Sequence, residues 1–311
     1  MTAEKNIIAI GRSRYLYDGI KHVTANGYTV RAIVTEEAYE EYDIKHQDFE
    51  KLANEIGAAF FIIRSLEQPE LLSILEKYQV RAAISANWKY TIQPRMLDRF
   101  ECGILNFHLG NLPDYKGNAT VNWSIINGER YINGNIHKMD PVLDAGDIIS
   151  RKSIPIQNES YIADILAEAE KLAPELYRQA LDRVWNDPQA CELKGSVQGL
   201  RCYPRLPEDG RVNWHLPAEQ VVRLVRASSH PYLGAYSFLN DEKITIWKAK
   251  VWMPESPFLA IPGHVVEIRK AAGTVLVACT DAMVELEEIE VNGNLVAPTD
   301  FIKSIRVRFK T

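Results

Sequence analysis

The chain has 311 residues, of which 46% are hydrophobic and 25% are charged, and its formal net charge is −5 at pH 7. This length exceeds that of one typical domain, and this composition predicts a folded soluble protein without long disordered regions. The mild negative charge argues against broad electrostatic binding to nucleic acid or to an acidic membrane surface. The first apolar run is much shorter than a signal-peptide core or a membrane helix, so we expect a cytoplasmic protein.

Short apolar runs alternate with amphipathic stretches through the first half of the chain. This alternation predicts an α/β domain with a Rossmann-like, open and mostly parallel sheet that has helices on both faces. In residues 69–78, for example, Leu71, Leu75 and Tyr78 share one helical face. The predicted strands are 7–10, 28–34, 59–63, 80–85, 103–107, 135–139 and 147–156, and the predicted helices are 15–25, 49–56, 69–78, 119–127 and 161–185. Gly11 follows the first strand without completing a GxGxxG fingerprint, which argues against a nicotinamide enzyme.

The character of the sequence changes after residue 185. Asn, Pro, Gly and Gln without clear periodicity predict a surface connector. We therefore predict a catalytic domain at 1–190, a linker at 191–204 and a smaller domain at 205–311. The last domain has a helix at 218–227 and short strands at 235–239, 243–252, 263–268, 273–278 and 283–289, a spacing that predicts a small OB-like β-barrel.

Polar residues interrupt the apolar strand that starts at Gly103. Asn106 and His108 are two positions apart on this strand, so their side chains share one face. They lie at its carboxyl end, where open α/β sheets bind ligands. Asn106 offers an amide donor and His108 exchanges a proton near neutral pH, while the carboxylate of Asp144 can orient the imidazole. Acyl transfer to an amine needs an oxyanion donor, a proton acceptor and a proton for the leaving nitrogen. This set requires neither a covalent intermediate nor a metal.

These residues belong to a longer pattern, made of Asn106, His108, Leu112–Pro113, Gly117 and Asp144–Gly146. In this order and spacing the sequence resembles the formyltetrahydrofolate-dependent formyltransferases. Arg211–Trp214 and the stretch from Val225 to Trp247 resemble the carboxyl-terminal barrel of the same family, so the resemblance covers nearly the whole chain. One departure is His108-Leu-Gly-Asn, which replaces the commoner His-x-Ser-Leu before the Leu-Pro pair.

The resemblance implies that 10-formyltetrahydrofolate is the co-substrate. It implies that Asn106 and His108 bind and polarise the formyl oxygen and transfer protons, while Asp144 supports His108. It also implies a folate pocket lined by Ile84, Ala86, Asn87, Trp88, Tyr90, Leu112, Met139 and Asp140. A homodimer is expected from the resemblance alone.

The identity of the formylated amine is open between two branches of this family. A methionyl-tRNA formyltransferase must hold a polyanion and needs a basic surface. Residues 203–311 carry 13 Lys plus Arg and 13 Asp plus Glu, so the remainder of the chain carries the net charge of −5. Residues 121–129 and 230–236 look closer to the branch that formylates nucleotide-linked amino sugars, such as UDP-4-amino-arabinose. We therefore favour a nucleotide-linked 4-amino sugar as the small-molecule substrate and no nucleic acid partner. A formyltetrahydrofolate hydrolase and a noncatalytic folate-binding protein are further alternatives.

A pyrophosphate ligand needs only one or two local cations, for which Lys116, Arg130 and Arg205 are candidates. Asn122 and Trp123 are further candidate substrate contacts, although the spacing of Trp123 also fits core packing.

The other histidines, His22, His46, His137, His215 and His264, are expected to be ordinary surface or hydrogen-bonded core residues. Asp140 and Asp147 flank the loop of Asp144, whose spacing fits the family pattern better. The scattered Cys102, Cys191, Cys202 and Cys279 predict reduced thiols and no zinc site.

Overall fold

The structure, a computed structural model, describes residues 4–37 and 43–310, so residues 1–3, 38–42 and 311 of the predicted domains lie outside it. The strands are β1 Lys5–Gly11, β2 Tyr28–Thr35, β3 Ala59–Ile62, β4 Ala82–Ala86, β5 Gly103–Leu109, β6 Lys116–Gly117, β7 Tyr131–Lys138, β8 Ile148–Pro155, β9 Arg201–Cys202, β10 Ala235–Leu239, β11 Glu242–Trp252, β12 Val265–Arg269, β13 Thr274–Ala278, β14 Met283–Val291 and β15 Asn294–Val296. The helices are α1 Arg14–Ala25, α2 His46–Ile56, α3 Pro69–Lys77, α4 Pro94–Leu97, α5 Thr120–Asn127, α6 Ile162–Asn186, α7 Ala218–Ser228 and α8 Pro298–Phe301, with a short 3-10 turn at Pro207–Gly210.

The described residues form two compact units, one made of 4–37, 43–120, 131–155 and 166–202 and the other of 121–130, 156–165 and 203–310. The predicted linker at 191–204 falls mostly in the first unit. This follows from two backbone pairings: β9 runs parallel to β6, and Leu193 exchanges hydrogen bonds with Ile148. Most of the connector is therefore fixed to the first unit.

The first unit is built on a seven-stranded sheet in the order β3-β2-β1-β4-β5-β7-β8. The pairings from β3 to β5 are parallel, while β7 is antiparallel to both β5 and β8. Buried apolar residues at nearly every position of β1 and β4 explain why these strands lie at the centre, where both faces are covered. The predicted fold class is confirmed for this unit.

Helices cover the two faces of this sheet with different side chains. On one face, Ile8 and Ile10 of β1 pack in a buried cluster with Leu71 and Leu75 of α3. On the other face, the hydroxyl of Tyr177 from α6 donates to the carbonyl of Ser85 in β4 at 2.6 Å. The alternation of side chains along each strand produces this two-sided burial.

The second unit is centred on an antiparallel sheet in the order β10-β11-β14-β13-β12, with β15 paired to β14. Helix α7 contributes Val221, Val222 and Val225 to the core of this sheet. Residues 307–310 form hydrogen bonds at both edges of this sheet. The N–H of Lys310 donates to the carbonyl of Phe238 in the edge strand β10, and the N–H of Phe309 donates to the carbonyl of Gly263, just before the other edge strand, β12. The prediction of a smaller second domain built from short strands is confirmed; its sheet is antiparallel, and this segment links the two edges.

Candidate active site

Strands β5 and β7 place three polar side chains on one face of the first unit's sheet. Asn106 lies opposite His137, and His108 lies opposite Asn135, in the antiparallel register of these strands. Residues directly opposite in such a pair project to the same face, as do residues two apart on one strand. Asn106, His108 and His137 therefore converge at the carboxyl end of β5, where ligands bind in open sheets.

Asp144 reaches this group from the loop between β7 and β8. Its backbone has a φ of 49°, a left-handed conformation that asparagine and aspartate tolerate better than most residues. The Oδ2 atom accepts a hydrogen bond from the backbone N–H of Gly117 at 2.8 Å. The same oxygen lies 3.6 Å from Nδ1 of His108, and Oδ1 lies 3.5 Å from Nε2 of His137. One carboxylate thus faces two imidazole rings.

His108 is held in one tautomer by the backbone. Its Nε2 lies 2.8 Å from the carbonyl oxygen of Tyr115. A carbonyl only accepts, so Nε2 carries the proton and Nδ1 is the basic nitrogen in the neutral ring. A Cβ at Gly110 would lie 2.6 Å from this Nε2 and 2.5 Å from the Tyr115 oxygen. The absence of a side chain at Gly110 therefore leaves room for the hydrogen bond that orients His108.

Burial and neighbouring charge set the protonation states of this pair. Burial lowers the pKa of His108 below its ordinary value, and the nearby Asp144 carboxylate opposes that effect without overcoming it. Burial alone would raise the pKa of Asp144, but the interactions with His108, His137 and the Gly117 N–H hold it far below its usual range. At neutral pH we therefore expect a neutral His108 beside an ionised Asp144, a pair in which the ring can take up a proton.

A cavity of about 480 Å³ opens beside these residues in the first unit. Such a volume lies within the range of ligand pockets. Asn106, His137 and Asp144 form part of its wall together with other residues from the strand ends and loops, namely Arg12, Asn87, Trp88, Lys89, Tyr90, Asn118, Met139 and Asp140. Asn106, His137 and Asp144 thus border a space that can hold a small molecule, whereas His108 lies behind Asp144 and is not part of the described wall.

The cavity wall includes five of the eight residues that the resemblance implies for the folate, which are Asn87, Trp88, Tyr90, Met139 and Asp140. The other three, Ile84, Ala86 and Leu112, are not among the described residues that form this wall. Ile84 and Ala86 lie inside the central strand β4, where both are buried, and Leu112 is buried as well. A folate contact from these three side chains stays a prediction.

A group of charged residues at the ends of β1 and β2 was not predicted from the sequence. The buried Glu36 accepts a hydrogen bond from Tyr90 at 3.0 Å and lies 2.7 Å from the ammonium of Lys89 and 3.0 Å from the guanidinium of Arg12. These contacts connect the loop after β4 to the neighbouring strand ends. Arg12, Lys89 and Tyr90 all line the cavity, so Glu36 helps to shape its wall.

The candidate substrate residues lie in different places. The buried ammonium of Lys116 donates to the carbonyls of Ser196 and Gln198, within the first unit. In the second unit, Asn122 donates to the Ala227 carbonyl and Trp123 donates to the Tyr203 carbonyl. Also in the second unit, the guanidinium of Arg205 donates to Ser228 and to the carbonyl of Asp209, and lies 5.9 Å from the ring of Trp123. Each of these side chains has a structural partner, and their contact with substrate stays a prediction.

Replacing Lys116 by Met separates a structural role from a substrate role. We expect the free energy of unfolding to fall by about 1–3 kcal/mol, because two carbonyls of the connector lose their donor. Chemical denaturation measures this loss, with Lys194→Met as the control, since Lys194 lies on the same connector with a largely exposed ammonium paired to Asp147. Unchanged stability together with weaker binding of the amine substrate would instead assign Lys116 to substrate binding.

His137 is the residue of this site that sequence reasoning missed. It was expected to be an ordinary core or surface histidine, yet its Nε2 lies 3.1 Å from Nδ2 of Asn106 and close to Asp144. The available signal was an ionisable residue in a predicted strand just before the loop of Asp144. Only the register of β5 and β7, which places His137 opposite Asn106, shows that this histidine belongs to the site.

Among residues 4–37 and 43–310, no group of three or more His, Cys, Asp or Glu side chains is arranged to hold a metal ion. None of the described helices combines the length and the apolar character that crossing a membrane requires.

Several solved structures share this architecture. HypX from Aquifex aeolicus, in complex with tetrahydrofolic acid, is 17% identical with a TM-score of 0.60, and the match covers 98% of this chain and 48% of HypX. The chain therefore spans about half the length of HypX. An N-formyltransferase from Helicobacter canadensis, in complex with folinic acid and dTDP-3-aminofucose, is 16% identical with a TM-score of 0.67, covering 91% of this chain and 98% of that one. Methionyl-tRNA formyltransferase from Clostridium thermocellum is 14% identical with a TM-score of 0.53, covering 79% and 92%. At these identities the likeness shows a shared fold.

Family models identify the chain from its sequence. The model described as formyl transferase matches residues 5–181, and the model of the formyl transferase C-terminal domain matches residues 206–306. The first match alone includes more than half of the chain, and it contains Asn106, His108, His137 and Asp144. The resemblance inferred from the sequence pattern is confirmed. The chain belongs to the formyl transferase family.

Proposed function

We propose that this protein transfers the formyl group of 10-formyltetrahydrofolate to the amino group of a second substrate. The observation that carries this proposal is the convergence of Asn106, His108 and Asp144 beside a cavity, in a chain of the formyl transferase family. His137 joins Asn106 to Asp144 in this cluster. The arrangement supplies an amide donor, a neutral imidazole and an ionised carboxylate, connected by successive contacts of 3.1 Å, 3.5 Å and 3.6 Å that run through His137 and Asp144.

The chemistry follows from the protonation states. The neutral substrate amine attacks the formyl carbon, and an N–H of Asn106 donates to the oxygen on which negative charge develops. Nδ1 of His108 accepts a proton from the attacking nitrogen, and the Asp144 carboxylate stabilises the imidazolium. The bond from the formyl carbon to N10 of the folate then breaks, and His108 returns its proton to N10. The products are the formylated amine and tetrahydrofolate, and His108 is again neutral.

We assign the folate to the cavity of the first unit. Trp88, Tyr90 and Met139 give its wall flat and polarisable surfaces for a fused ring, and Asn87 and Asp140 add polar groups. HypX and the Helicobacter canadensis protein were each solved with a folate compound, which supports the same co-substrate here. Asn87, Trp88, Tyr90, Met139 and Asp140 are the proposed folate contacts.

For the amine, we propose a nucleotide-linked amino sugar, with a 4-amino sugar as our first candidate. The net charge of −5 for the chain, with none of it contributed by residues 203–311, gives no basic field for a large polyanion. The Helicobacter canadensis relative was solved with dTDP-3-aminofucose, so a 3-amino sugar is tested beside the 4-amino sugar. The second candidate is methionyl-tRNA, which is favoured by the likeness to the Clostridium thermocellum enzyme.

A substrate panel tests this choice. Purified protein is incubated with 10-formyltetrahydrofolate and, separately, with UDP- and dTDP-linked 3-amino and 4-amino sugars, with charged initiator tRNA, and with no amine. We expect formylated sugar, detected by mass spectrometry, and little formate in the reaction without amine. Efficient formylation of tRNA without any sugar product would overturn the sugar assignment. Formate release at the same rate with and without each amine, and with no formylated product, would indicate a hydrolase.

A further inference from the structure

His137 makes two contacts that define its hydrogen-bonding state. Its Nδ1 lies 2.9 Å from the backbone carbonyl oxygen of Lys138, and its side chain is almost completely buried. Because the carbonyl oxygen only accepts, Nδ1 must carry a hydrogen. In the neutral ring, Nε2 therefore has a lone pair and acts as an acceptor.

The Nε2 acceptor faces the side-chain amide of Asn106 at 3.1 Å. A hydrogen bond forms here only when the NH₂ group of the amide points to the ring, since the amide oxygen would place one acceptor against another. This contact is shorter than the 3.5 Å between Nε2 and Oδ1 of Asp144, so the amide is the better partner of the neutral ring. His137 therefore determines which end of the Asn106 amide faces it.

The orientation of this amide matters for the oxyanion. Nδ2 has two hydrogens, and with one bound to His137 the second remains for another acceptor. If the amide rotated by half a turn, its oxygen would take the place of the NH₂ group, and the oxyanion would lose its donor. Loss of one such donor typically costs about a hundredfold or more in turnover.

We propose that His137 is a positioning residue that fixes the amide of Asn106 with its NH₂ group available to the formyl oxygen. The proposal rests on the formyl transfer assigned to this site. It gives the chain a second histidine with a task different from that of His108. His108 moves a proton, whereas His137 acts through Asn106.

Two substitutions at position 137 form a matched pair. A glutamine can place its carbonyl oxygen near the position of Nε2, whereas an asparagine reaches only the position of Nδ1. We expect His137→Gln to retain most of the wild-type kcat. We expect His137→Asn to lower kcat about tenfold or more, with a smaller change in KM for the folate co-substrate, because the donor is lost in the transition state. Equal kcat values for the two variants would overturn the proposal.

A double-mutant cycle with Asn106→Ala separates this role from general support of the site. If His137 acts through Asn106, His137→Asn should cost little further activity once Asn106 is gone. A parallel cycle with Asp144→Asn tests the other neighbour of the ring. An undiminished cost of His137→Asn in the Asn106→Ala background would contradict the proposal. Thermal unfolding of each variant identifies any loss that arises from misfolding.

A third measurement needs no catalytic activity, so it remains decisive if the proposed function fails. The side-chain NH₂ of Asn106 can be observed by NMR after selective ¹⁵N labelling of asparagine and assigned by its absence in Asn106→Ala. We expect one proton of this group to be shifted and protected from exchange in the wild type and in His137→Gln. That protection should disappear in His137→Asn. Equal exchange in all three proteins would contradict the contact, whereas failure of formyl transfer in the wild type would count against the function alone.

Discussion

Replacing His108 by Ala is expected to lower turnover by on the order of a hundredfold or more, as for the loss of a general acid–base group. The ring whose Nδ1 faces Asp144 at 3.6 Å and receives the proton from the attacking amine is removed. Steady-state kinetics with saturating 10-formyltetrahydrofolate and the preferred amine measure the effect.

The matched control for this variant is His215→Ala, which removes an exposed histidine of the second unit. We expect wild-type kinetics for the control and a folded protein in both cases, as judged by circular dichroism. Near wild-type turnover in His108→Ala would remove the proposed proton-transfer role of His108. A variant that fails to fold is replaced by His108→Gln, which keeps the size and polarity of the side chain but cannot exchange a proton.

Replacing Asp144 by Asn should lower the maximal rate by about tenfold to a hundredfold and should also shift the pH profile. In the wild type, burial lowers the pKa of His108 and the carboxylate of Asp144 partly restores it. Loss of the carboxylate therefore lowers the pKa of His108 further. Since the neutral ring is the active form, the acid limb of kcat should lie below about pH 6.5 in the wild type and still lower in Asp144→Asn.

Rate measurements between about pH 5 and 8.5 test this shift. Asp147→Asn is the control, because Asp147 is on the same loop but its carboxylate pairs with Lys194 at 2.7 Å. We expect the control to keep the position of the acid limb. An acid limb that moves to higher pH in Asp144→Asn, or a plateau equal to that of the wild type, would contradict the electrostatic role of Asp144.

Most of the regular elements could be predicted because their signals are local. The apolar run at 28–34 became β2 and the amphipathic stretch at 69–78 became α3, each to within a residue or two. The two-residue strands β6 and β9 were missed, because their pairing depends on contacts between positions about 85 residues apart in the chain. For the same reason the sequence indicated a surface connector at 191–204 but not its contacts, in which Lys116 and β6 hold most of it against the first unit.

The candidate site could be predicted only as far as its residues lie in one recognisable pattern. Asn106 and His108 share a strand, and Asp144 follows at the spacing of the family, so all three could be named from the sequence. His137 could not, because a single histidine gains meaning only from the antiparallel register that places it opposite Asn106. The group around Glu36 was missed for a similar reason, since its members follow the ends of three separate strands, β1, β2 and β4.

The short segment at 307–310 in the second unit has a consequence for how this protein behaves at high concentration. The exposed margins of an antiparallel sheet can recruit strands from other molecules, which is a route to aggregation. Here the same few residues occupy hydrogen-bonding groups at Phe238 on one margin and at Gly263 beside the other. Residues 307–310 thus hinder the addition of a strand from another molecule at both edges of the sheet.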